Sequence, residues 1–307
     1  MIAYSLGKCK TFIVLCIVQG SAFYSVPFGT ALIVVIIILF LERRNTMKKY
    51  DYHINEYGEK VPVPKNLKKL LNLQYLRLTN KTLSVGLHDL PEMKCETEVL
   101  PDYIALYNHP ADYHKTPNTA VAFYLYDDSF DGINGLYNAI YYKDKKLLKM
   151  YKQRFMGVKF FISPDYSQFG DVDDIENHYR IKKARIVSLW LTLELGAIVI
   201  PNITYPTIDS LWFYLDGLES CKVVAFSTMG YVDDELEREF LIEAVKQTVN
   251  RLPITTIVVY DVCGSDEAVR EIFDYAIKKG IKLVVPQNTM KIRNSARKRG
   301  VGYARIE

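Results

Sequence analysis

Aspartates that follow short apolar runs are the residues of this 307-residue chain best suited to chemistry. Asp127 and Asp128 follow the run 121–126, Asp165 follows 158–162 and Ser163-Pro164, and Asp261 follows 254–260. Asn202, Ser227, Thr228 and Gln287 stand in the same relation to three further runs. If these runs are parallel strands, their C-terminal ends form the edge at which α/β proteins bind ligands. Asp127, Asp128 and Asp165 gathered there would offer hard oxygen ligands to Mg²⁺ or Mn²⁺, for phosphoryl transfer or nucleic-acid hydrolysis. Without a metal, Asp165 and one of Asp127 and Asp128 would act as acid and base. Side chains alternate along a strand, so only one of that pair can face inward, and Asp128 is the one expected to. Arg180, beside Asn177 and Tyr179, would bind a phosphate or carboxylate at the rim, or close a salt bridge to a nearby aspartate. The candidate catalytic set is therefore Asp128, Asp165 and Arg180, with Asn177, Asn202, Ser227, Thr228 and Asp261 as ligand contacts. Helix capping and turn closure compete for such aspartates, and they are the expected roles of Asp171, Asp173, Asp233 and Asp266. His178 is the histidine nearest this edge and the candidate general base of its type.

The elements that must position these residues alternate in character. Residues 157–202 read as strand, polar loop, helix and strand. The helix is basic in its first half and almost wholly apolar over 186–195, so that half should lie against a sheet. Strands are expected at 121–126, 158–162, 197–200, 222–226, 254–260 and 281–285, with an earlier one at 103–106. Helices are expected at 145–155, 207–218, from Asp233 onward, and from Ser265 or Asp266 to Gly280. This order predicts an α/β fold of six or more consecutive βα units around a mostly parallel sheet. Barrel-like closure is favoured by the regular order; an open doubly wound sheet predicts the same elements.

Composition narrows the function classes. The five cysteines are scattered without a CxxC pair, which argues against a zinc site or disulfide framework. The chain has no GxxxxGK[ST], GxGxxG after a strand, HExxH or GxSxG, which lowers the case for a P-loop ATPase, a dinucleotide enzyme, a zinc protease or an ordinary serine esterase. The net charge of +4 is uneven: residues 1–46 carry +3 and residues 291–307 carry +5, leaving −4 for the body between them.

Four segments follow from this distribution: 1–46 apolar, 47–100 irregular, 101–290 the α/β domain, and 291–307 a basic tail. Residues 11–41 contain no charged side chain, enough to span a bilayer that needs about 20 apolar residues. The basic residues after it favour a cytoplasmic C-terminal side, and thus a cytoplasmic protein anchored to the inner face of the cell membrane. Met47-Lys48-Lys49 also reads as a natural start, in which case the first 46 residues are an upstream extension. The tail from Lys291 to Arg305, centred on Arg297-Lys298-Arg299, is a candidate nucleic-acid contact whose binding would weaken steeply with salt.

In order and spacing, several motifs resemble a known family. Asp127-Asp128, Pro164-Asp165-Tyr166-Ser167, Asn177-x-Tyr179-Arg180, Ile200-Pro201, Asp216-Gly217 and Ser227-Thr228-x-Gly230 together look like the domain of unknown function 4417 family, over about residues 100–288. The resemblance implies a domain of bacteria and their phages or other mobile elements, and no transferable activity. The chain departs from it in its apolar N-terminus and in reading Asp171-Val172-Asp173 where the family tends to have Asp-Met-Pro. Two function classes follow: a metal-dependent enzyme on a phosphate-containing or nucleic-acid substrate, and a non-catalytic nucleic-acid-binding or accessory protein.

Overall fold

Short runs of Val, Ile, Phe and Ala with no polar alternation suit strands covered on both faces. The computed structural model, which describes residues 51–54, 57–63, 76–231, 234–263 and 265–298, pairs seven such runs in parallel. The apolar stretch 11–41, the cap expected at Asp233 and the basic residues 299–305 lie outside the described residues. Among the described residues no helix is long and apolar enough to cross a membrane.

The chain divides into two compact units, residues 1–53 with 60–66, and residues 54–59 with 67–307. In the first region β1 (Asp51–Ile54) pairs with β2 (Lys60–Val63). The second unit begins with α1 (Leu76–Thr79) and an antiparallel pair, β3 (Ser84–Val85) with β4 (Leu90–Pro91). The parallel elements follow. β5 (Tyr103–Leu106) and β6 (Thr119–Ala122) lead to α2 (Leu136–Tyr142) and α3 (Lys145–Arg154). Then come β7 (Phe160–Ile162), α4 (Asp174–Leu195), β8 (Ile198–Ile200), α5 (Leu211–Tyr214), β9 (Val223–Ser227) and α6 (Glu235–Arg251). The last are β10 (Thr256–Tyr260), α7 (Asp266–Ile272), α8 (Asp274–Lys278), β11 (Lys282–Val284) and α9 (Thr289–Lys298).

One sheet has the order β5-β6-β7-β8 and the other β11-β10-β9, every pairing parallel. Single parallel bridges link the two at both flanks. Asn202 pairs with Ala225, where Ile203 donates to the Ala225 carbonyl and Ala225 to that of Pro201. Tyr103 pairs with Gln287, where Ile104 donates to the Gln287 carbonyl. All seven C-terminal ends therefore point the same way.

Helix α4 carries the amphipathic logic furthest. Asp174 and Glu176 in its first turn complement the helix dipole, while Ala184 to Leu191 are buried on every side. Its last turn surfaces again at Thr192 to Glu194, although the apolar reading extended burial to residue 195. The strand expected at 121–126 ends at Ala122, because Phe123 leaves the ladder to stack on Tyr107 at 5.1 Å and meet Phe130 edge-on. The helix expected over 207–218 is a 3-10 turn followed by the four residues of α5. The helix expected up to Gly280 is broken at Phe273, and the cap before α6 is Asp234, whose side chain accepts from Glu237 N.

The Asp216-Gly217 motif has a packing reason. Gly217 has φ +77°, and a Cβ there would sit 2.9 Å from Val85 Cγ2 and 3.3 Å from Glu92 Cα. Its carbonyl accepts from Met93 N at 2.8 Å, so the β3–β4 pair is laid directly on this backbone. Gly196, the left-handed cap of α4 at φ +68°, faces open space. Gly196→Ala should therefore cost only the left-handed backbone term of about 1–2 kcal/mol. Gly217→Ala should cost visibly more in urea denaturation, and equal losses at the two positions would remove the packing argument.

Candidate functional site

Asn202 stands one residue beyond Pro201, where the chain leaves β8 to bridge the second sheet. Its backbone N donates to Ser163 Oγ at 2.7 Å, which ties the end of β8 to the end of β7. Its Nδ2 donates to Asp165 Oδ1 at 2.9 Å, and its Oδ1 accepts from the Tyr124 hydroxyl at 2.8 Å. Three strand ends thus converge through one amide whose oxygen and nitrogen are both engaged, which fixes its orientation.

Asp165 keeps part of its surface open while protein surrounds it. Burial pushes its carboxyl up from the ordinary carboxylate range to about 7, and the negative charge of Asp127 adds to the rise. Hydrogen bonds from Thr204 and Asn202 oppose it by favouring the ionised form. Burial and the Asp165 charge likewise raise the Tyr124 and Tyr231 hydroxyls, so these phenols stay protonated donors. Tyr124 packs at a tilt against Tyr260 with ring centroids 4.8 Å apart, and Tyr205 stacks on Tyr231 at 6.0 Å. A carboxyl poised to gain or lose a proton near neutrality, joined through Asn202 to the Tyr124 hydroxyl, suits general acid–base work.

The other aspartates are arranged differently from the expectation. Asp127, not Asp128, turns towards Asp165, because the pair lies in a 3-10 turn, Asp127–Ser129, and not at the end of a strand where alternation would apply. Asp127 accepts from Arg180 Nη1 at 2.5 Å and from both the backbone N and the hydroxyl of Ser167. Asp128 is exposed and, among the described residues, meets the Ser129 hydroxyl alone, at 3.4 Å. The three side chains expected to share Mg²⁺ or Mn²⁺ are thus not gathered, and among the described residues no three His, Cys, Asp or Glu groups stand in a metal-holding cluster.

Arg180 takes the salt-bridge alternative, held by Asp127 and by Glu176 at 2.9 Å, with Phe169 below its guanidinium. Asn177 is buried and spends its amide on the backbone N and O of Phe169, locking the loop before α4. Ser227 accepts from Met229 N, and Thr228 bridges β9 to β10 through Tyr260 O and Val262 N. Gln287 contributes its backbone to the bridge with Tyr103 and exposes its side chain. His178 lies between the rings of His88 and Phe213, with centroids 3.8 and 4.1 Å away, and burial holds its imidazole below the usual value.

Asp261 is fully buried at the end of β10. Its Oδ1 accepts from Cys263 N, and its Oδ2 lies 3.4 Å from Lys291 Nζ. Lys291, the first residue of the basic tail expected to contact nucleic acid, reaches inward from α9 and also meets Asp266 at 3.0 Å. The tyrosines and Thr204 carried no signal that separated them from ordinary core and loop residues. Among 23 tyrosines, only the tertiary structure singles out Tyr124 and Tyr231, the two on which the Asp165 charge acts.

Comparison with known proteins agrees with the motifs. The profile of DUF4417, a domain of unknown function, matches residues 83–276, and so takes in the β3–β4 pair that packs on Gly217. The chain is also similar to the Gene 1 protein of Mycobacterium phage L5, 24% identical over 187 residues that cover 60% of this chain and 75% of that protein.

The raised Asp165 carboxyl has a stability consequence whose sign is definite. The folded protein holds this proton up to about pH 7, whereas the unfolded chain releases it near pH 4, so the group costs stability increasingly across that window. Asp165→Asn should stabilise the protein by a few kcal/mol at most above pH 7, and by little at pH 4. Thermal unfolding at pH 4.5, 6 and 8 reads this out; a gain that does not grow with pH would contradict the placement of Asp165.

Proposed function

The chain belongs to the DUF4417 family, a domain of unknown function, and from its own geometry we propose that it is an enzyme using Asp165 as a general acid–base at the C-terminal mouth of a barrel-like α/β domain. The observation that carries this is the Asp165–Asn202–Tyr124 chain of hydrogen bonds around a partly open carboxyl raised to about 7. Catalytic acids work best with a pKa near the operating pH, and holding one there in a fold costs stability that a purely structural carboxyl need not cost. Asn202 supports the role by orienting Asp165 from a strand end, where position is set by backbone pairing. The two flanking bridges support closure of the seven strands into a ring, with the Tyr124 and Tyr260 rings packed at a tilt across it. The likeness to a phage protein supports a setting in a phage or another mobile element.

Carbon-13 NMR of the Asp165 carboxyl tests the reading. A midpoint near 7 is expected, rising further in Asn202→Ala, because the lost amide bond favoured the ionised form. A midpoint near 4 in the wild-type protein would overturn the acid–base role.

A nucleic-acid-binding accessory role is the second reading, favoured by Arg293 and Arg297, which are four residues apart on α9 and both exposed while Lys291 turns inward. Phosphate contacts of this kind release counterions, so Arg293→Ala with Arg297→Ala should weaken DNA or RNA binding and flatten its salt dependence by about two in slope. Equal slopes for the wild type and the double variant would dismiss it.

A further inference from the structure

We propose that the N-terminal side of the parallel strands carries a docking groove for an acidic, amphipathic peptide segment of a partner protein. The groove lies at the end opposite Asp165, so it is independent of the acid–base reading. It consists of two open cavities, of about 370 and 740 Å³, that adjoin at Lys152 and Glu194. The first is lined by Leu78, Ile140, Leu148 and Trp190, contributed by helices α1 to α4. The second is lined by Phe155, Val158, Phe160 and Ile198, at the starts of β7 and β8. Met156 and Val99 also line it, 75% and 53% exposed, so apolar surface continues out of the cavity. Concave sites of this size with apolar linings are the ones that hold ligand groups.

The charges around the groove are nearly all of one sign. Lys143, Lys145, Lys149 and Lys152 border the first cavity, and Lys152 and Lys159 the second, against the carboxylate of Glu194. That carboxylate pairs with Lys152 at 2.9 Å, and among the described residues the other four lysines have no ion-pair partner. At the opposite edge Arg180, Lys183 and Lys291 are each held by a carboxylate. Local structure is also worse for these cations. Lys145 and Lys149 are four residues apart on one face of α3, a spacing at which like charges destabilise a helix. Lys145 and Lys146 occupy its first turn, where the helix dipole disfavours cations and attracts carboxylates. Lys143 is held at φ +53°, a left-handed conformation suited to glycine. Unfavourable local choices gathered in one groove mark a functional surface.

The same pattern selects the occupant. Two apolar cavities in line along α3, itself about 15 Å long, suit two apolar groups on one extended ligand. The unpaired lysines suit carboxylates beside those groups. Nucleic acid meets the charge alone, because the Trp190, Phe155 and Phe160 rings are buried and leave no face free for base stacking. Residues 1–46 and 64–75 of this chain are net basic, so neither answers to that charge.

Fluorescence anisotropy on the full chain tests this with a labelled helix-forming peptide of about 14 residues, about 20 Å long, made of glutamate and leucine with the leucines on one face. It should bind, and its counterpart with serine for leucine should bind at least about tenfold more weakly, because the buried apolar groups are lost. Lys145→Glu with Lys149→Glu should weaken the leucine peptide at least about tenfold. Lys246→Glu with Lys278→Glu, which changes the net charge equally outside the groove, should leave it bound. Lys143→Gly should weaken binding about twofold or more while leaving the melting temperature no lower, since the left-handed backbone is relieved. Absence of peptide binding, equal binding of the serine counterpart, or equal losses in the two double variants overturns the inference. So does a thymidine oligonucleotide or a phosphatidylserine vesicle that binds the wild type and not the Lys145 and Lys149 double variant, because the groove is then a general polyanion or membrane surface.

Discussion

The junction between the two parallel sheets and the raised carboxyl of Asp165 depend on the same residue, Asn202. The backbone of Asn202 pairs with Ala225 and donates to Ser163, while its side chain holds Asp165 and accepts from Tyr124. Position and chemistry are therefore coupled. The ladder hydrogen bonds that draw β8 towards β9 also set the distance at which an amide meets a carboxyl, with no flexible loop in between. Sites built in this way on strand ends hold their geometry better than sites built on loops.

Around that junction the charged residues are arranged in closed groups. Arg180 with Asp127 and Glu176, Lys183 with Asp131, and Lys291 with Asp261 and Asp266 tie the loops after β6 and β10 to helices α4, α7 and α9. Lys183 also sits over the ring of Tyr166 at 4.5 Å, so part of its binding comes from an aromatic face. Once partly buried, removal of either member leaves an unpaired charge, which is why such groups stiffen the rim more than exposed pairs do. Asp165 stands outside these pairs. Its partners are neutral, and desolvation rather than a neighbouring cation governs its proton.

The β3–β4 pair illustrates a second dependence. Its backbone lies against Gly217, and the Tyr214 and Asp216 carbonyls beside it accept from Arg185, a residue only 5% exposed. Burial lowers the Arg185 guanidinium to about 10, a cost offset by these carbonyls and by the charges of neighbouring groups. The family match beginning at residue 83 includes this pair, consistent with a domain whose edge is closed by it.

Much of this was legible beforehand. Unalternated runs such as 158–162 and 254–260 mark strands buried on both faces, and the change from basic to apolar along 174–195 marks a helix pressed against them, because local composition and period act through the backbone alone. Parallel pairing and the placing of Asp165, Asn202 and Asp261 at one edge follow from that order. The choice between Asp127 and Asp128 was not legible, since it turned on a strand ending four residues early so that Phe123 could stack on Tyr107. Nor was the inward turn of Lys291 and Arg185, which in sequence are indistinguishable from solvated neighbours. The raised carboxyl of Asp165 and its link through Asn202 to Tyr124 likewise belong to tertiary structure alone. The sequence by itself determined which residues stand at the ends of strands; only the folded arrangement decided which of them meet, because burial, charge pairing and a proton's affinity depend on neighbours that are tens of residues apart in the chain.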